Sequence, residues 1–547
     1  MEEMDRKYRH RLRLLMIVTG LLWAAFIGRF YYLQIVSHEE LATAAVSQYQ
    51  VVVEGLDTRG KILDRNLQPL TGETEQYYYF IPNDRADTDL KHLLTAVSAR
   101  QISLPESPNR KYTAYRTQLF DETVNEKLKT AYGAYVFCSA SRYSDTQTAC
   151  HLIGYLNEAE QKGVSGLEQL YEDTLKSDES RLTLWADGKG RLLLNMAPRK
   201  EGGSSPLEEN LVTTIDRGIQ NLCENAVSRE NLKGAVLVSD VQSGDVLGWV
   251  SSPGFNPNEV EAYLHSTGGN LVNKCIQGTY APGSVFKIAV AAAALESGLP
   301  GLEDVYVCSG QTEVEGITLG CLAGPEGGHG EVGLDEAMAV SCNCYFAHLG
   351  ARLGAEAVVS MARQLGFGQT VFKSFSEEVA GNLPLEAETG PWDISNLSIG
   401  QGALLVTPAQ VHQMMAVVAN GGVLQPLTVV SGTSDGESGN GSGGNGAKRV
   451  LSEYTAGRLC AMLEGVMTEG TGSGGRWPCP VYGKTGTAET VRSGVQLKDC
   501  WFSGFCKVNG RTYAVTVLAE EGVSGTKTCL PVFQEICSYL TTRNFVM

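Results

Sequence analysis

The sequence predicts a membrane helix and an intermediate domain, followed by a larger mixed α/β (α+β) domain in which an antiparallel sheet is flanked by helices. Three observations predict it. Residues 14–33 form an apolar run with a single charge, Arg29. Two strand pairs, at 234–252 and 501–519, stand at opposite ends of the second half with mostly helical segments between them, so one sheet is closed by distant pieces of chain. The 547 residues also exceed the ~100–200 residues of one ordinary domain.

Residues 1–13 read as a cytoplasmic tail, with Arg6, Lys7, Arg9, Arg11 and Arg13 before the apolar run. At about 1.5 Å per residue, residues 14–33 span a hydrocarbon core of ~30 Å. Arg29 lies near the far end, where it can snorkel, and Tyr31 and Tyr32 suit the interfacial belt. No Lys or Arg follows until Arg59, so the positive-inside rule places the rest of the chain outside the cytoplasm. A cleaved signal peptide ending at Ala42-Thr43-Ala44 fits less well, because that site stands beyond Glu39 and Glu40 and the run is long for a signal. The sequence therefore predicts a single-pass anchor.

Residues 34–208 mix short strands and helices. Strands are expected at 49–53 and 77–81, helices at 89–98 and 122–131. Residues 199–206 read as a linker. Residues 209–547 form the second domain. Its first hairpin joins 234–240 to 245–252, and Asn509-Gly510 is a strong turn signal for the last. Residues 431–446 are mostly Gly, Ser, Asn and acidic residues, and read as a flexible surface insertion.

A formal net charge of −17, from 44 Lys+Arg and 61 Asp+Glu, argues against nucleic-acid binding, which relies on basic residues at phosphates. The fourteen cysteines are too dilute for a disulfide scaffold and too scattered for an obvious zinc framework. Cys308 and Cys321 flank an expected hairpin and are the best placed pair for a disulfide on the oxidising side of a membrane. Cys342, Cys344 and His348 read better as buried small side chains than as metal ligands, and His329, between two glycines, reads as structural. No metal or cofactor is expected.

The sharpest chemical signal is Ser284 followed by Lys287. Pro282 and Gly283 precede a helix start, and Gly298 suits its end. The helix between is apolar on nearly all faces and should be buried. Ser284 and Lys287, three apart, share the face of its first turn. A serine hydroxyl needs a base, and a lysine can serve when burial and nearby positive charge lower its pKa from ~10.4. Ser-x-x-Lys alone is more often a cap and a solvated lysine. Two further elements change that reading. Ser341-Cys342-Asn343 stands between two helical stretches, 334–340 and 345–353. Lys484-Thr485-Gly486-Thr487 follows Val481-Tyr482-Gly483 as a strand, where Gly486 offers no side chain against an approaching backbone.

Ser-x-x-Lys, Ser-x-Asn and Lys-Thr-Gly in this order resemble the signature of penicillin-recognising serine acyl transferases. Thr58-Arg59-Gly60-Lys61-Ile62-Leu63-Asp64-Arg65-Asn66 resembles the segment just outside the membrane in class B penicillin-binding proteins, and Gly163-Val164-Ser165-Gly166-Leu167-Glu168 resembles the segment closing their pedestal domain. Thr214-Ile215-Asp216, Ser398-Ile399-Gly400-Gln401-Gly402 and Trp501-Phe502-Ser503-Gly504-Phe505 resemble stretches of their transpeptidase domain. The resemblance implies the penicillin-binding transpeptidase fold behind a transmembrane helix and an elongated pedestal. It implies neither the glycosyltransferase domain of class A enzymes nor appended PASTA modules.

By that resemblance, Ser284 would attack the D-Ala–D-Ala bond of a peptidoglycan stem peptide and Lys287 would take its proton. Ser341 would bridge Lys287 and Lys484 and relay a proton to the leaving amine. Asn343 would bind the substrate backbone or orient Lys287. Lys484 would help lower the pKa of Lys287 and attract the substrate carboxylate, bound by Thr485 and Thr487 beside Gly486. The backbone N–H groups of Ser284 and Thr487 would form the oxyanion hole. A second stem peptide's amine would resolve the acyl-enzyme into a cross-link, and β-lactams would acylate Ser284. The implied partners are a SEDS-family glycosyltransferase and other cell-wall assembly proteins. A D-Ala–D-Ala carboxypeptidase, a β-lactam sensor or hydrolase, and a non-catalytic scaffold are the competing functions.

Overall fold

The computed structural model describes residues 2–37, 50–53, 59–102, 111–157, 162–176, 181–185, 193, 199–201, 210–314, 317–321, 323–324, 327–385, 390–433, 446–492 and 494–543. The chain forms two compact units that interleave in sequence. One comprises residues 1–58, 74–141 and 178–203, the other residues 59–73, 142–177 and 204–547. The intermediate region expected over 34–208 is thus divided between both. Residues 202–206 of the expected linker and 434–445 of the expected insertion lie outside the described residues, whereas 199–201 form a strand.

The first unit begins with helix Glu2–Tyr31, extended by a π-helical turn at Tyr32–Val36. Leu14, Leu21, Trp23, Phe26 and Phe30 are all exposed on it, as a helix solvated by lipid requires. Its four-stranded antiparallel sheet runs in the order Arg100–Ile102, Tyr112–Thr117, Thr74–Pro82, Tyr135–Ser141. Strand Thr74–Pro82 shows why both faces are covered. Tyr79 and Ile81 pack with Leu90, Leu94, Val124 and Leu128 of helices Thr88–Ala96 and Glu122–Thr130. Tyr78 and Phe80, on the opposite face by the two-residue period, pack with Tyr112, Ala114 and Leu184. Asp87 and Asp121 cap the helices by accepting from Leu90 N at 2.7 Å and Val124 N at 2.9 Å.

The second unit is built on a five-stranded antiparallel sheet, ordered Val246–Ser252, Gly234–Asp240, Arg511–Ala519, Val495–Val508, Val481–Arg492. Strand Gly234–Asp240 is buried throughout and reads as a continuous apolar run apart from Ser239 and Asp240. Its direct partner Arg511–Ala519 lies almost three hundred residues on, the long-range closure expected from the sequence. Helix Lys287–Glu296 runs through the core with Lys287 to Ala294 all buried.

The segments at 59–66 and 163–168 meet in this unit around one buried carboxylate. Glu168 pairs with Arg59 at 3.1 Å and Arg142 at 2.6 Å, and accepts from Tyr143 Oη at 2.9 Å. Asp64 folds the following turn by accepting from the backbone N–H groups of Asn66 and Gln68. Asp216 caps helix Arg217–Arg229 through Gly218 N and Ile219 N.

Candidate active site

Ser284 sits in the short 3₁₀ turn Gly283–Phe286 that leads into helix Lys287–Glu296. Three contacts fix this turn. Trp501 Nε1 donates to Ala281 O at 3.0 Å, Gly283 N donates to Gly400 O at 2.9 Å, and the turn lies against strand Val481–Arg492. A Cβ on Gly283, whose φ is +54°, would stand 2.8 Å from Thr487 O; one on Gly400 would stand 2.0 Å from Gly283 O. Only glycine permits either approach. Gly486 is required for a related reason. Its missing Cβ would meet Val285 Cγ2 at 2.8 Å and Pro282 O at 3.0 Å. The backbone that approaches Gly486 is therefore the serine turn itself, where the sequence suggests room for substrate.

Lys287 is fully buried, and its ammonium donates to Ser341 O at 2.8 Å, Ser341 Oγ at 3.2 Å and Asn343 Oδ1 at 2.7 Å. Its Nζ also lies 5.5 Å from the centre of the Phe346 ring. Burial pushes Lys287 down to about 7, with Cys342, Cys321 and Cys344 pulling the other way. Lys484 is buried as deeply and donates to Thr485 O at 3.2 Å. Burial, and then the charge on Lys287, push Lys484 well below its ordinary value. The mutual repulsion expected between the two lysines is thus felt at Lys484, while burial alone lowers Lys287.

Ser341 ends helix Leu334–Ala339 in a left-handed conformation, φ +60°, uncommon for a residue with a side chain. That reversal turns its hydroxyl and carbonyl together onto Lys287. Asn343 opens helix Asn343–Gln364 and joins two elements: its Oδ1 accepts from Lys287 and its Nδ2 donates to Gly320 O at 3.2 Å. Of the two tasks expected of Asn343, the Lys287 contact bears on the orienting one. Ser341 meets Lys287; among the described residues no hydrogen bond joins it to Lys484.

Thr485 Oγ1 lies 2.7 Å from Thr471 Oγ1, and Thr487 Oγ1 accepts from Gly525 N at 3.3 Å. The Thr485–Thr471 pair is not legible in the sequence because Thr471 lies in a Gly-rich stretch with no motif of its own. Asn343, Gly320, Thr487, Glu489 and Lys498 are among the residues lining an open cleft of about 1020 Å³. All eight residues singled out in the sequence therefore lie in one region of the second unit, on the serine turn, the 341–343 reversal and one edge strand.

The cysteines differ from expectation. Cys308 and Cys321 are free rather than disulfide-bonded, and each lies beside His329. Cys342 joins them, while His348 packs on the Tyr306 ring at 5.5 Å between centres.

Residues 234–538 match the family described as the penicillin binding protein transpeptidase domain. Over 546 residues the chain is 29% identical to Stage V sporulation protein D of Bacillus subtilis, covering 94% of this chain and 82% of that protein. It is 26% identical over 594 residues to peptidoglycan D,D-transpeptidase MrdA of Acinetobacter baumannii, covering 96% and 86%. Among solved structures, a chain of a peptidoglycan synthase complex that coordinates polymerization and crosslinking superposes with a TM-score of 0.70 at 24% identity, covering 98% of this chain and 99% of that one.

Proposed function

The chain belongs to the penicillin-binding protein transpeptidase family and is a class B peptidoglycan D,D-transpeptidase; we propose that Ser284 carries the acyl group, with Lys287 as its base. The observation that carries this assignment is the state of Lys287. It is fully buried, lowered to about 7, and held by Ser341 and Asn343 one turn from the hydroxyl it must deprotonate. A base poised near the working pH is both unprotonated and still able to hold a proton, which is the optimum for general-base catalysis.

In the proposed reaction neutral Lys287 takes the Ser284 proton as Oγ attacks the carbonyl of the penultimate D-Ala of a stem peptide. The developing oxyanion is met by the backbone N–H groups of Ser284 and Thr487, each such donor contributing roughly 3–4 kcal/mol in other acyl transferases. The proton passes through Ser341 to the leaving D-Ala amine as the C–N bond breaks. The amine of a second stem peptide then attacks the ester, returns Ser284 its proton and leaves a cross-link. Lys484, Thr485 and Thr487, on the strand that packs against the serine turn at Gly486, hold the terminal carboxylate. An anion here favours the charged form of Lys484, which burial otherwise opposes. β-Lactams, which present the same carboxylate beside a strained amide, acylate the same hydroxyl.

The N-terminal helix anchors the chain in the membrane. The basic residues before it support an inward-facing N-terminus, with residues 34–547 outside. Likeness to a chain of a peptidoglycan synthase complex supports a cell-wall assembly around this protein, and the proposed partner is a SEDS-family glycosyltransferase that supplies the glycan strand.

Labelling of the detergent-extracted full chain with a fluorescent β-lactam tests the nucleophile. Label is expected on the wild type and absent from Ser284→Ala; a variant that still labels would overturn the assignment. Muropeptides formed from lipid-linked polymer distinguish cross-linking from simple loss of D-Ala.

A further inference from the structure

Cys308, Cys321, His329 and Cys342 come from four separate pieces of chain. Cys308 ends strand Tyr306–Cys308, Cys321 follows strand Ile317–Gly320, His329 precedes strand Gly330–Val332, and Cys342 caps helix Asn343–Gln364. Their three sulfurs and one ring nitrogen all lie within 4.8 Å of one another. Cys321 Sγ is 3.8 Å from Cys342 Sγ and 3.3 Å from His329 Nδ1; Cys308 Sγ is 3.6 Å from the same nitrogen. A tetrahedral zinc ion, with Zn–S about 2.3 Å and Zn–N about 2.0–2.1 Å, spaces its sulfurs about 3.8 Å apart and each sulfur about 3.6 Å from the nitrogen. A disulfide needs about 2.05 Å, so these distances fit a shared ion and not a bond.

The surroundings agree. Tyr345 N donates to Cys342 Sγ at 3.5 Å. Such a donor suits a thiolate, the form in which cysteine binds metal. The three cysteines are buried and the histidine half-buried. Apolar packing does not account for an imidazole nitrogen turned onto sulfurs.

We propose that Cys308, Cys321, Cys342 and His329 Nδ1 bind one structural Zn²⁺ that fastens the 306–332 strands to the Ser341-Cys342-Asn343 reversal. Four protein ligands complete a tetrahedron and leave no position for a reacting water, which separates this site from catalytic zinc. Its position gives it a task. Cys342 stands between Ser341 and Asn343, the two residues holding Lys287, and Gly320, next to Cys321, accepts from Asn343. Ser341 is held in a left-handed conformation that persists only where its surroundings fix it. The ion supplies that fixation, and makes Ser341 and Asn343 dependent on Cys308, Cys321 and His329, which lie outside the acyl-transfer motifs. The catalytic consequence rests on the proposed roles of Ser341 and Asn343, whereas the metal content does not.

The test uses the full chain, produced with Zn²⁺ in the medium, extracted in detergent and analysed for metal by mass spectrometry. One zinc per chain is expected, lost in Cys321→Ser and His329→Gln and retained in Cys344→Ser. Because a ligand variant can fail to fold, the wild-type protein is also exchanged with Co²⁺, which should give tetrahedral d–d bands and thiolate charge-transfer absorption. Removing the metal with a chelator should slow fluorescent β-lactam acylation about ten-fold or more, and Zn²⁺ should restore it. A zinc-free wild type without a cobalt spectrum, zinc content unchanged in both ligand variants, or a Cys321–Cys342 disulfide in the purified protein would each overturn the site. Undiminished acylation by metal-free protein would overturn its positioning role while leaving the Ser284 assignment intact.

Discussion

Asn343 accepts a hydrogen bond from the buried ammonium of Lys287 at 2.7 Å and ties it to the reversal that also presents Ser341. An amide oxygen there orients the lysine without adding a charge, so burial is free to hold it near 7. The sign follows directly. Below about 7 Lys287 is protonated and cannot take the Ser284 proton, so acylation by a β-lactam should fall about ten-fold per pH unit there and level off above. Asn343→Asp places a carboxylate on the ammonium and should raise its pKa by ~1–3 units. Stopped-flow acylation of both proteins between about pH 5 and about pH 9 should show the inflection moving upward in the variant. Coincident profiles would remove Lys287 as the base.

Gly283 and Gly298 have nearly the same backbone, φ +54° and +60°, in different surroundings. An alanine at either position costs ~1–2 kcal/mol of left-handed strain. At Gly298 the new methyl meets nothing within 4 Å, whereas at Gly283 it lies 2.8 Å from Thr487 O. Both alanine variants should therefore melt slightly lower. Only Gly283→Ala should lose acylation, by about 100-fold, since displacing the serine turn from the strand misplaces the nucleophile by ~1 Å. Equal acylation rates in the two variants would show that the contact does not position Ser284.

What was legible in the sequence was what spacing alone determines. Ser284 and Lys287 stand three positions apart, which is enough to put them on one turn whatever the remainder does. Asn509-Gly510 likewise marks its hairpin without help. The partners of Glu168 were not legible as partners: Arg59 lies 109 residues away and Arg142 lies 26 away, and nothing local pairs a carboxylate with either. The cysteines show the same limit. Cys308, Cys321, His329 and Cys342 carry no short paired spacing, because the strands between them, not the ligand-bearing turns, bring the sulfurs together. Gly486 was recognised as a close approach but not what approaches it, since the serine turn is remote in sequence.

Glu168 is fully buried between Arg59 and Arg142, which are themselves 7% and 6% exposed. A buried carboxylate shared by two guanidinium groups is costly to disturb, because removing it leaves both beside a single remaining carboxylate among the described residues, Glu172, which pairs with Arg59 at 2.8 Å. Glu168→Ala should destabilise its unit by about 3–5 kcal/mol, and Glu168→Gln, which keeps the shape and loses the charge, by a smaller amount. Urea unfolding monitored by tryptophan fluorescence measures both. A loss below about 1 kcal/mol in Glu168→Ala, the range of exposed pairs, would mean that the charges are solvated.

His412 links helix Pro408–Ala419 to the central sheet through Ser239 Oγ at 2.7 Å and Thr516 Oγ1 at 3.1 Å, the latter hydroxyl also lying 2.8 Å from Ser503 Oγ. It is fully buried, and burial pushes it from 6.5 down to about 3. The folded chain therefore keeps this imidazole neutral where the unfolded chain would protonate it. Its contribution is complete above the unfolded value of 6.5 and is lost as pH falls toward about 3, at ~1.4 kcal/mol per pH unit. His412→Gln preserves a donor and an acceptor but cannot titrate. The variant should melt lower than the wild type at neutral pH, through imperfect packing, and lose less on acidification. Melting temperatures recorded across this window test the point: parallel acid slopes in the two proteins would show that His412 is not among the groups driving acid unfolding.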